Sequence, residues 1–482
     1  MALLEGKDPG DPFVEPPHHV FSREQKKWLV YMVSLAAMFS PLSSNIYFPA
    51  LPTIAETLHT PIELVTLTIT IYMLFQGLAP SFWGPLADQF GRRPILIATL
   101  CVYILANLGL GFSKNYASLM VFRGIQAIGS SATIAIGAGV IGDVSVAAER
   151  GGFMGHFAGT IGPVFGGVLA QFGFRSIFWF LLCLAVIVVV LITLFLPETL
   201  RSIAGDGSRQ LYGIYRPLVY TKRHHAMMTS RATLNKSYEE KKLSWKMLLE
   251  SFRLLAEKDV FVTLMFGGII YTIWSMQTSS TSSLFTNGYH LSSWQTGLIF
   301  LPNGIGCMSG SFIIGKIMDS DYAKAATQFR QLHSLPAETE LKQHIYPSFS
   351  IERARLKSTW WLLAMFCIAT GLYGFALQWH MAVPLTLQFI TAFTATAIFN
   401  INSTLMIDLY PSKASSATAV NNLVRCTLGG LGVALIEQAI SRIHGGITFL
   451  VLAVLAALSG FLVVIERTYG PRWREQRLLR GS

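Results

Sequence analysis

The sequence predicts an all-α membrane protein whose twelve transmembrane helices form two halves of six. Hydrophobic residues make up 52% of the 482 residues and charged residues only 13%, which argues against a soluble protein. The charges crowd into a few segments and leave twelve apolar stretches, each near the ~20 residues that a helix needs to cross ~30 Å of hydrocarbon. The longest polar segment, 197–259, divides these stretches six and six.

Each predicted span is a stretch with few or no charged residues. In chain order the spans are residues 28–48, 63–83, 94–112, 117–142, 151–172, 176–196, 260–285, 293–316, 359–378, 381–409, 415–441 and 446–465. The segment before the first span is polar and lacks the apolar core of a cleaved signal peptide, so we expect the first span itself to direct insertion.

The five cysteines all lie inside predicted spans and form no close pairs in the sequence. This placement argues against a disulfide framework or a zinc site, and it indicates thiols packed between helices. We therefore expect no metal ion and no cofactor.

The net charge of +11 sets the orientation in the membrane rather than indicating nucleic-acid binding. Loops on one side hold only Lys114, Arg175 and Arg442, while Arg123 and Arg425 lie within spans. All remaining Lys and Arg residues fall on the other side, which is the positive-inside pattern. Both termini are therefore expected in the cytoplasm, with the basic residues facing anionic lipid.

The polar segments divide the chain into five parts. We expect a cytoplasmic N-terminal tail (1–27), a first six-helix half (28–199), a cytoplasmic linker (200–259), a second six-helix half (260–466) and a cytoplasmic C-terminal tail (467–482). The linker ends in KSYEEKKLSWKMLLESFRLLAEKD, where apolar residues recur at helical spacing opposite charged ones. This pattern predicts an amphipathic helix, either on the inner leaflet or packed under the bundle.

The two halves resemble each other at three corresponding positions. The matching features are GPLAD (84–88) and GKIMD (315–319) after spans two and eight, Asp143 and Asp408 at the ends of spans four and ten, and PET (197–199) and ERT (466–468) after spans six and twelve. Together they indicate a duplicated six-helix unit, which is how secondary transporters build two domains that rock about a central site.

The stretch GPLADQFGRRP (84–94) carries a family resemblance. It matches, at Gly84, Leu86, Ala87, Asp88, Gly91, Arg92 and Arg93, the loop signature between spans two and three of the major facilitator superfamily. The chain resembles in particular the twelve-spanner drug:proton antiporter family, from about residue 21 to 477. The resemblance implies the major facilitator fold, in which a central cavity opens alternately to each side.

Five further motifs carry the resemblance. RGIQAIG (123–129) is similar to the family's span-four motif, and GTIGPVFGG, with Gly159, Gly162, Pro163, Gly166 and Gly167, is similar to its span-five antiporter motif. ATAVNNLVRC (417–426) and YGPRW (469–473) resemble a fungal branch that includes quinidine-resistance-like pumps and organic acid exporters, as does SSNIYFPALPTIA (43–55). Span five is several residues shorter than the family pattern.

The loop at residues 84–94 is expected to act as a latch on one conformation. Gly84 and Gly91 allow a tight turn between neighbouring spans. Asp88 can accept hydrogen bonds at the positive end of a neighbouring helix, which the family's fold implies to be span eleven, beginning near Ser415. Loss of such a latch would shift the population between conformations.

Ion pairs complete the predicted latch. Either Arg92 or Arg93 can pair with Asp143 at the inner end of span four, and Asp319 occupies the corresponding position in the second half. The two arginines also suit a plain topology signal, although that reading leaves Asp88 unexplained, since acidic residues contribute little to orientation.

Two arginines within spans mark the candidate substrate site. Arg123 shares a face of span four with Gln126 and small or polar residues, and Arg425 shares one of span eleven with Asn422 and two glycines. An arginine at membrane depth costs ~2.5–3.5 kcal/mol on insertion scales, so it normally faces a cavity or a partner. As repeat positions in opposite halves, both can face one central cavity.

No Asp or Glu lies near the middle of any predicted span, and His156 in span five adds a possible third cation. A cavity with fixed positive charges and no negative one at the same depth should attract anions. Further hydrogen bonds to a ligand are expected from Tyr271, Trp274, Gln277, Asn303, Gln388, Asn400 and Asn402. The amides equally suit bonds between helices, and the aromatic residues and His156 equally suit packing.

These features predict proton-linked export of a small molecule by a monomer in the plasma membrane or, alternatively, in a vacuolar or other internal membrane. The charge argument favours an organic anion, a di- or tricarboxylate such as citrate, over an uncharged or cationic drug. Protons would be carried by Asp143, Asp408, Glu437 or His156, or by the substrate itself. A non-transporting receptor or scaffold would be expected to lack the latch sequences, and no serine has the His/Asp arrangement of an enzyme.

Overall fold

The computed structural model describes residues 23–144, 157–204, 211–219, 253–336, 346, 349–410 and 414–481. These residues are almost entirely helical and include no β-strand. The predicted amphipathic helix of the linker lies outside the described residues except for its last turn, and most of the predicted N-terminal tail does also.

The first half contains nine helices within the described ranges. They are α1 (Arg23–Ala37), α2 (Phe39–Asn45), α3 (Leu51–Thr57), α4 (Ile62–Phe90), α5 (Arg92–Gly111), α6 (Tyr116–Val144), α7 (Phe157–Ala170), α8 (Arg175–Phe195) and α9 (Arg201–Ala204). The described part of the second half contains α10 (Lys258–Tyr289), α11 (Ser293–Leu298), α12 (Leu301–Leu332), α13 (Ile351–Arg355), α14 (Thr359–Ala376), α15 (Ala382–Leu409), α16 (Ala414–Ile443) and α17 (Gly445–Gly481).

Eleven helical segments in the described residues are long and apolar enough to cross a membrane. They correspond to all the predicted spans except the fifth, which is described from Phe157 onward as the 14-residue helix α7. We call the membrane face that carries Gly91, Asp143 and Asp408 the inner face, and the opposite face the outer face. The all-α prediction is confirmed.

The first span is a broken helix rather than one continuous rod. Helices α1 and α2 are followed by a short 3-10 turn at Phe48–Ala50 and then by α3. Prolines lie at the start of that turn and of α3, and a proline can occupy a first helical turn but cannot donate to the turn before it. The span therefore reaches Thr57, well beyond the predicted end at residue 48.

The chain turns between α4 and α5 at Gly91 alone. Gly91 has φ 103° and ψ 147°, a conformation that is essentially reserved for glycine. Gly84 instead lies inside α4, which continues through Pro80 and Pro85 to Phe90, so the predicted turn at Gly84 is wrong. No residue within α4 takes a positive φ, so the helical backbone is unbroken up to Gly91.

Two predicted polar segments are largely helical. Helix α12 runs to Leu332, so it includes the first part of the predicted insert 320–357. Helix α17 continues without interruption from its apolar part to Gly481, through almost all of the predicted C-terminal tail, even though it contains Pro471. Charged residues such as Arg and Glu are good helix formers, so loss of hydrophobicity ends the apolar span without ending the helix.

The two halves meet along α4 and α16 and at the outer ends of α7 and α11. The hydroxyl of Thr70 donates to the carbonyl oxygen of Gly430 at 3.0 Å, which ties α4 to α16. A Cβ atom on Gly297 in α11 would lie 2.9 Å from the Cα of Gly167 in α7, so only glycines permit this approach. Beside it, the rings of Phe48 and Phe300 stack at 6.0 Å. The outer ends of the halves are therefore in contact.

Candidate functional site

Arg425 lies on α16 with part of its side chain exposed. One Nη atom donates to Oδ1 of Asn422 at 2.6 Å, and the guanidinium carbon lies 4.7 Å from the ring centroid of Tyr271 and 4.6 Å from that of Phe399. Its buried Nε has no hydrogen-bond partner. Arg425 therefore has at least one N–H donor, at Nε, that its aromatic and amide neighbours do not use.

Polar and aromatic side chains extend from Arg425 across α10 to α12. The rings of Tyr271 and Trp274 lie 5.5 Å apart, and the indole Nε1 of Trp274 donates to Oδ1 of Asn303 at 3.0 Å. The structure thus joins five of the predicted site residues in one continuous group, namely Asn422, Arg425, Tyr271, Trp274 and Asn303. Asn400 lies apart from them and donates to the hydroxyl of Ser311 at 2.8 Å.

Arg123, by contrast, is completely buried within the first half. Its guanidinium lies between the rings of Tyr47 and Tyr72, at 4.0 and 4.4 Å, and donates to Oε1 of Gln126 at 2.7 Å. Gln126 in turn donates to Asn107 at 2.8 Å. Nε and one Nη of Arg123 have no partner. In this conformation Arg123 is enclosed by aromatic faces, whereas Arg425 is accessible.

No carboxylate within the described residues lies within ion-pair distance of Arg123 or Arg425. The ion pairs described in the chain involve other residues, namely Arg92 with Asp88 and Asp143, Arg355 with Asp408, Lys357 with Asp321, Arg474 with Glu352 and Arg477 with Asp259. Both span arginines therefore interact with aromatic faces, amides and a backbone carbonyl rather than with acids.

The remaining predicted amides occupy different places. Gln277 and Gln388 are buried, and neither of their amide groups has a hydrogen-bond partner. Asn422 lies at the seam between the halves and donates to the carbonyl oxygen of Gln76 at 3.0 Å. Asn402 lies apart from Arg425, in a small cavity of the second half that it shares with Glu466. His156 lies outside the described residues.

The antiporter motif lines the contact between α7 and the first span. A Cβ atom on Gly166 would lie 2.0 Å from the carbonyl oxygen of Ile46, and one on Gly162 would lie 3.4 Å from the Cβ of Asn45. Pro163 and Gly167 contact Gly297 from the other half. Gly159 lies in the first turn of α7. These small residues let the broken part of the first span pack closely against α7.

The predicted latch residues form an ion-pair chain at the inner face. Arg92 contacts Asp88 at 2.5 Å and Asp143 at 3.1 Å, so Arg92 rather than Arg93 pairs with Asp143. Burial raises the pKa of the Asp143 carboxyl, and the adjacent Arg92 opposes that shift. The Asp88 side chain is 47% exposed, and the side chain of Ser415, its predicted neighbour, lies outside the described residues.

Glu198 belongs to this latch, although sequence reasoning did not assign it a role. Its two carboxylate oxygens accept the backbone N–H groups of Arg92 at 2.9 Å and Arg93 at 3.1 Å, which caps the positive start of α5. Arg93 itself donates to the carbonyl oxygen of Thr193 at 2.8 Å. The signal was present in the PET sequence, because its glutamate follows span six at the same face.

The second half has a corresponding ion pair. Arg355, at the end of α13, contacts Asp408 at 2.7 Å, just as Arg92 contacts Asp143 in the first half. Asp319 is exposed. Sequence reasoning missed Arg355 because a long insert separates it from Asp319. The signal was that an arginine comes shortly before span nine, as Arg92 comes shortly before span three.

Residues 33–434 match the model of the Major Facilitator Superfamily. The chain belongs to the major facilitator superfamily. The predicted family is thus confirmed, and the chain is a multi-pass membrane transporter. The crystal structure of the human organic anion transporter MFSD10 (TETRAN) has a TM-score of 0.50 to this chain at 15% identity, and the match covers 93% of this chain and 100% of that one. At that identity the match shows the fold alone.

Several fungal transporters are similar to this one over nearly its whole length. Citrate exporter 1 of Aspergillus niger is 49% identical over 470 residues, which cover 96% of this chain and 89% of that protein. MFS antiporter QDR2 of Candida albicans is 32% identical and covers 94% and 89%. Probable transporter AQR1 of Saccharomyces cerevisiae is 31% identical and covers 96% and 80%.

Proposed function

We propose that this transporter exports a small organic anion, a di- or tricarboxylate such as citrate, in a proton-linked alternating-access cycle. The observation that carries the proposal is the environment of Arg425. Arg425 is partly exposed as a residue, its buried Nε has no partner, and no carboxylate in the described structure lies within ion-pair distance of it. A carboxylate of the substrate would supply the missing acceptor through charge-assisted, bidentate hydrogen bonds.

The neighbours of Arg425 suit the same ligand. Asn422 and the aromatic faces of Tyr271 and Phe399 hold the guanidinium plane in place, so little side-chain entropy is lost when an anion binds. The citrate exporter of Aspergillus niger, at 49% identity, supports a carboxylate as the substrate. Arg123 would add a second positive charge to the field at the site, although Tyr47 and Tyr72 enclose its guanidinium.

In the proposed cycle, the present arrangement is the inward-facing one. The outer ends of the halves touch through Gly297 with Gly167 and through Phe48 with Phe300. Asp88 is half exposed and pairs with Arg92 of its own loop. When the inner face closes, Asp88 would engage the start of α16 and hold the outward-facing state.

The proposed orientation places both termini and the inner face in the cytoplasm of a monomer in the plasma membrane. The basic residues support it, since the inner-face segments carry most of the Lys and Arg. The proton would travel on the carboxylates of the substrate or on a peripheral acid. Among those acids, Glu437 is almost buried and accepts a hydrogen bond from Ser283 at 2.8 Å, while Asp143 and Asp408 are tied to arginines.

A drug:proton antiporter is the second candidate function. The faces of Tyr271 and Trp274 next to the site would accommodate an apolar or cationic ring. MFS antiporter QDR2 of Candida albicans, at 32% identity, supports this alternative. The positive charge of Arg425 argues against this function for positively charged drugs, because it would repel them.

The test is transport by the purified protein in liposomes with an imposed pH gradient. Labelled citrate, a cationic drug and a polyamine are offered in parallel, and each is offered again with excess unlabelled di- and tricarboxylates. We expect citrate to move and only carboxylates to compete with it. Movement of the drug without movement of citrate would replace the anion proposal by the antiporter alternative.

A further inference from the structure

A second group of charged side chains lies buried at the inner end of the second half, apart from Arg425. It contains three carboxylates, on Asp259, Glu352 and Glu466, and two arginines, Arg474 and Arg477. The three acids and Arg474 are each at most 2% exposed, and the Arg477 side chain is 21% exposed. Full ionisation would leave one negative charge without a cation.

Two of the carboxylates have cationic partners. Arg474 lies 3.3 Å from Glu352, and Arg477 forms a short contact with Asp259. The phenol of Tyr410 also donates to Asp259 at 3.2 Å. Burial, together with the Asp259 carboxylate, raises the pKa of Tyr410, so this phenol stays neutral and supplies no charge. Of the three carboxylates in this group, Glu466 is therefore the one without a cationic partner.

Glu466 has no hydrogen-bond partner at either oxygen. It lines a small cavity together with Thr263 and Asn402, whose side-chain polar atoms also lack partners. It also lies close to Glu352, because a Cβ atom on Gly470 would be 2.8 Å from Oε1 of Glu466 and 3.2 Å from Cγ of Glu352. The unpaired carboxyl thus faces other polar groups and a neighbouring acid.

The corresponding glutamate of the first half is satisfied in a different way. Glu198 accepts four backbone N–H groups, from Arg92, Arg93, Thr199 and Leu200, at 2.9–3.1 Å. Hydrogen bonds of this kind stabilise the charged form of a carboxyl group. Glu466 receives none of them, so the same position in the repeat holds an acid bonded to backbone N–H groups in one half and an acid without hydrogen-bond partners in the other.

We propose that Glu466 is a proton-binding site, neutral in this conformation, whose loss of a proton to an alkaline cytoplasm releases α13. An unpaired carboxylate buried beside other carboxylates is costly, so a bound proton is the way to keep the group buried. No group of three acids, histidines or cysteines in the described residues is arranged to hold a metal ion.

Helix α13 connects this site to the ion pair of the second half. It carries Glu352 at its second residue and Arg355 at its end, where Arg355 pairs with Asp408. When Glu466 is ionised, its negative charge repels the neighbouring carboxylate of Glu352. Helix α13 then loses its anchor, and the contact between Arg355 and Asp408 weakens with it.

Infrared spectroscopy of the purified protein tests the proton directly. The carbonyl-stretch band of a protonated carboxylic acid should be present near neutral pH in the wild type and reduced in E466Q. The matched control E475Q makes the same substitution at an exposed glutamate on the same helix and should leave the band unchanged. E352Q should also reduce the band, because it removes the carboxylate beside Glu466 and so makes ionisation of Glu466 less costly. An equal band in the wild type, E466Q and E352Q overturns the proposal.

Hydrogen exchange at Ile351–Arg355 tests the coupling to α13. At alkaline pH exchange should be faster in the wild type than in E466Q, which mimics the protonated acid, and at acidic pH the two should agree. Equal exchange at every pH, with the infrared difference present, would remove the link to α13. Neither measurement needs a transported substrate, so failure here is distinguishable from failure of the citrate proposal.

Discussion

Replacement of Arg425 by glutamine should weaken the binding of a carboxylate substrate without unfolding the transporter. The change removes the positive charge and the unpaired Nε but keeps an amide that can still contact Asn422. Arg425 is partly exposed and takes part in no described ion pair, so its loss leaves no buried carboxylate without a partner.

The size of the effect follows from the donors that the structure leaves free. One Nη of Arg425 is already bound to Asn422, and Nε is unpaired, so we expect the substitution to remove at least one charge-assisted hydrogen bond to the substrate, and one bond sets the lower estimate. Bonds to charged groups contribute about 1.5–3 kcal/mol. The dissociation constant should therefore rise about 10- to 150-fold, at ~1.4 kcal/mol for each factor of ten.

The assay is citrate binding and transport in liposomes, together with transport of a cationic drug. R425K keeps the charge but loses the planar fork, so its citrate affinity should fall between those of the wild type and R425Q. R442Q, the same substitution at an exposed arginine near the end of α16, should leave both activities unchanged. R123Q should lower thermal stability first, because Arg123 is enclosed by two tyrosines.

Unchanged citrate transport in R425Q, with loss of drug transport, would refute the anion reading of this site. Equal loss of both compounds in a protein of normal stability would show that Arg425 acts on conformation rather than on the substrate's charge.

Three further predictions concern the latch and the proton. G91A should lower the free energy of unfolding by about 1–3 kcal/mol, because an alanine would be strained at the positive φ of Gly91 and its Cβ would meet Glu198. G84A, at a helical position with open space around it, should leave that free energy unchanged. D88N should stay folded but turn over more slowly, and cysteine labelling of the inner face should report the shifted population. If the substrate carries the proton, collapse of the pH gradient should change the export rate only as far as the substrate's own protonation state changes. Loss of all export on addition of a protonophore, at constant cytoplasmic pH, would exclude the substrate as the proton carrier.

Hydrophobicity was enough to predict the spans because each must cover the same thickness of hydrocarbon. The ends of α4, α12 and α17 were less predictable, since a helix continues past the apolar part wherever its backbone bonds can still form. A glycine in the sequence does not by itself predict a turn, since Gly84 lies inside a continuous helix. Of these two predicted turn glycines, Gly91 alone has a positive φ.

The candidate site was partly predictable. Charge alone singled out Arg123 and Arg425, because an arginine within a span is costly enough to need a reason. Periodicity could not tell that tyrosines from two other helices enclose Arg123 while Arg425 stays accessible, since that depends on contacts between distant parts of the chain. Arg355 was missed for the same reason.

Two of the hydrogen bonds that cross between α4 and α16 end on main-chain carbonyls, at Gly430 from Thr70 and at Gln76 from Asn422. Each helix carbonyl has a second lone pair beyond the one used within the helix. On the face of a helix that meets its neighbour, such acceptors recur about once per turn, every ~5.4 Å. If one helix moves along the other by a turn, a donor that leaves one carbonyl can therefore bond to the next, and the contact between the halves is kept during the movement.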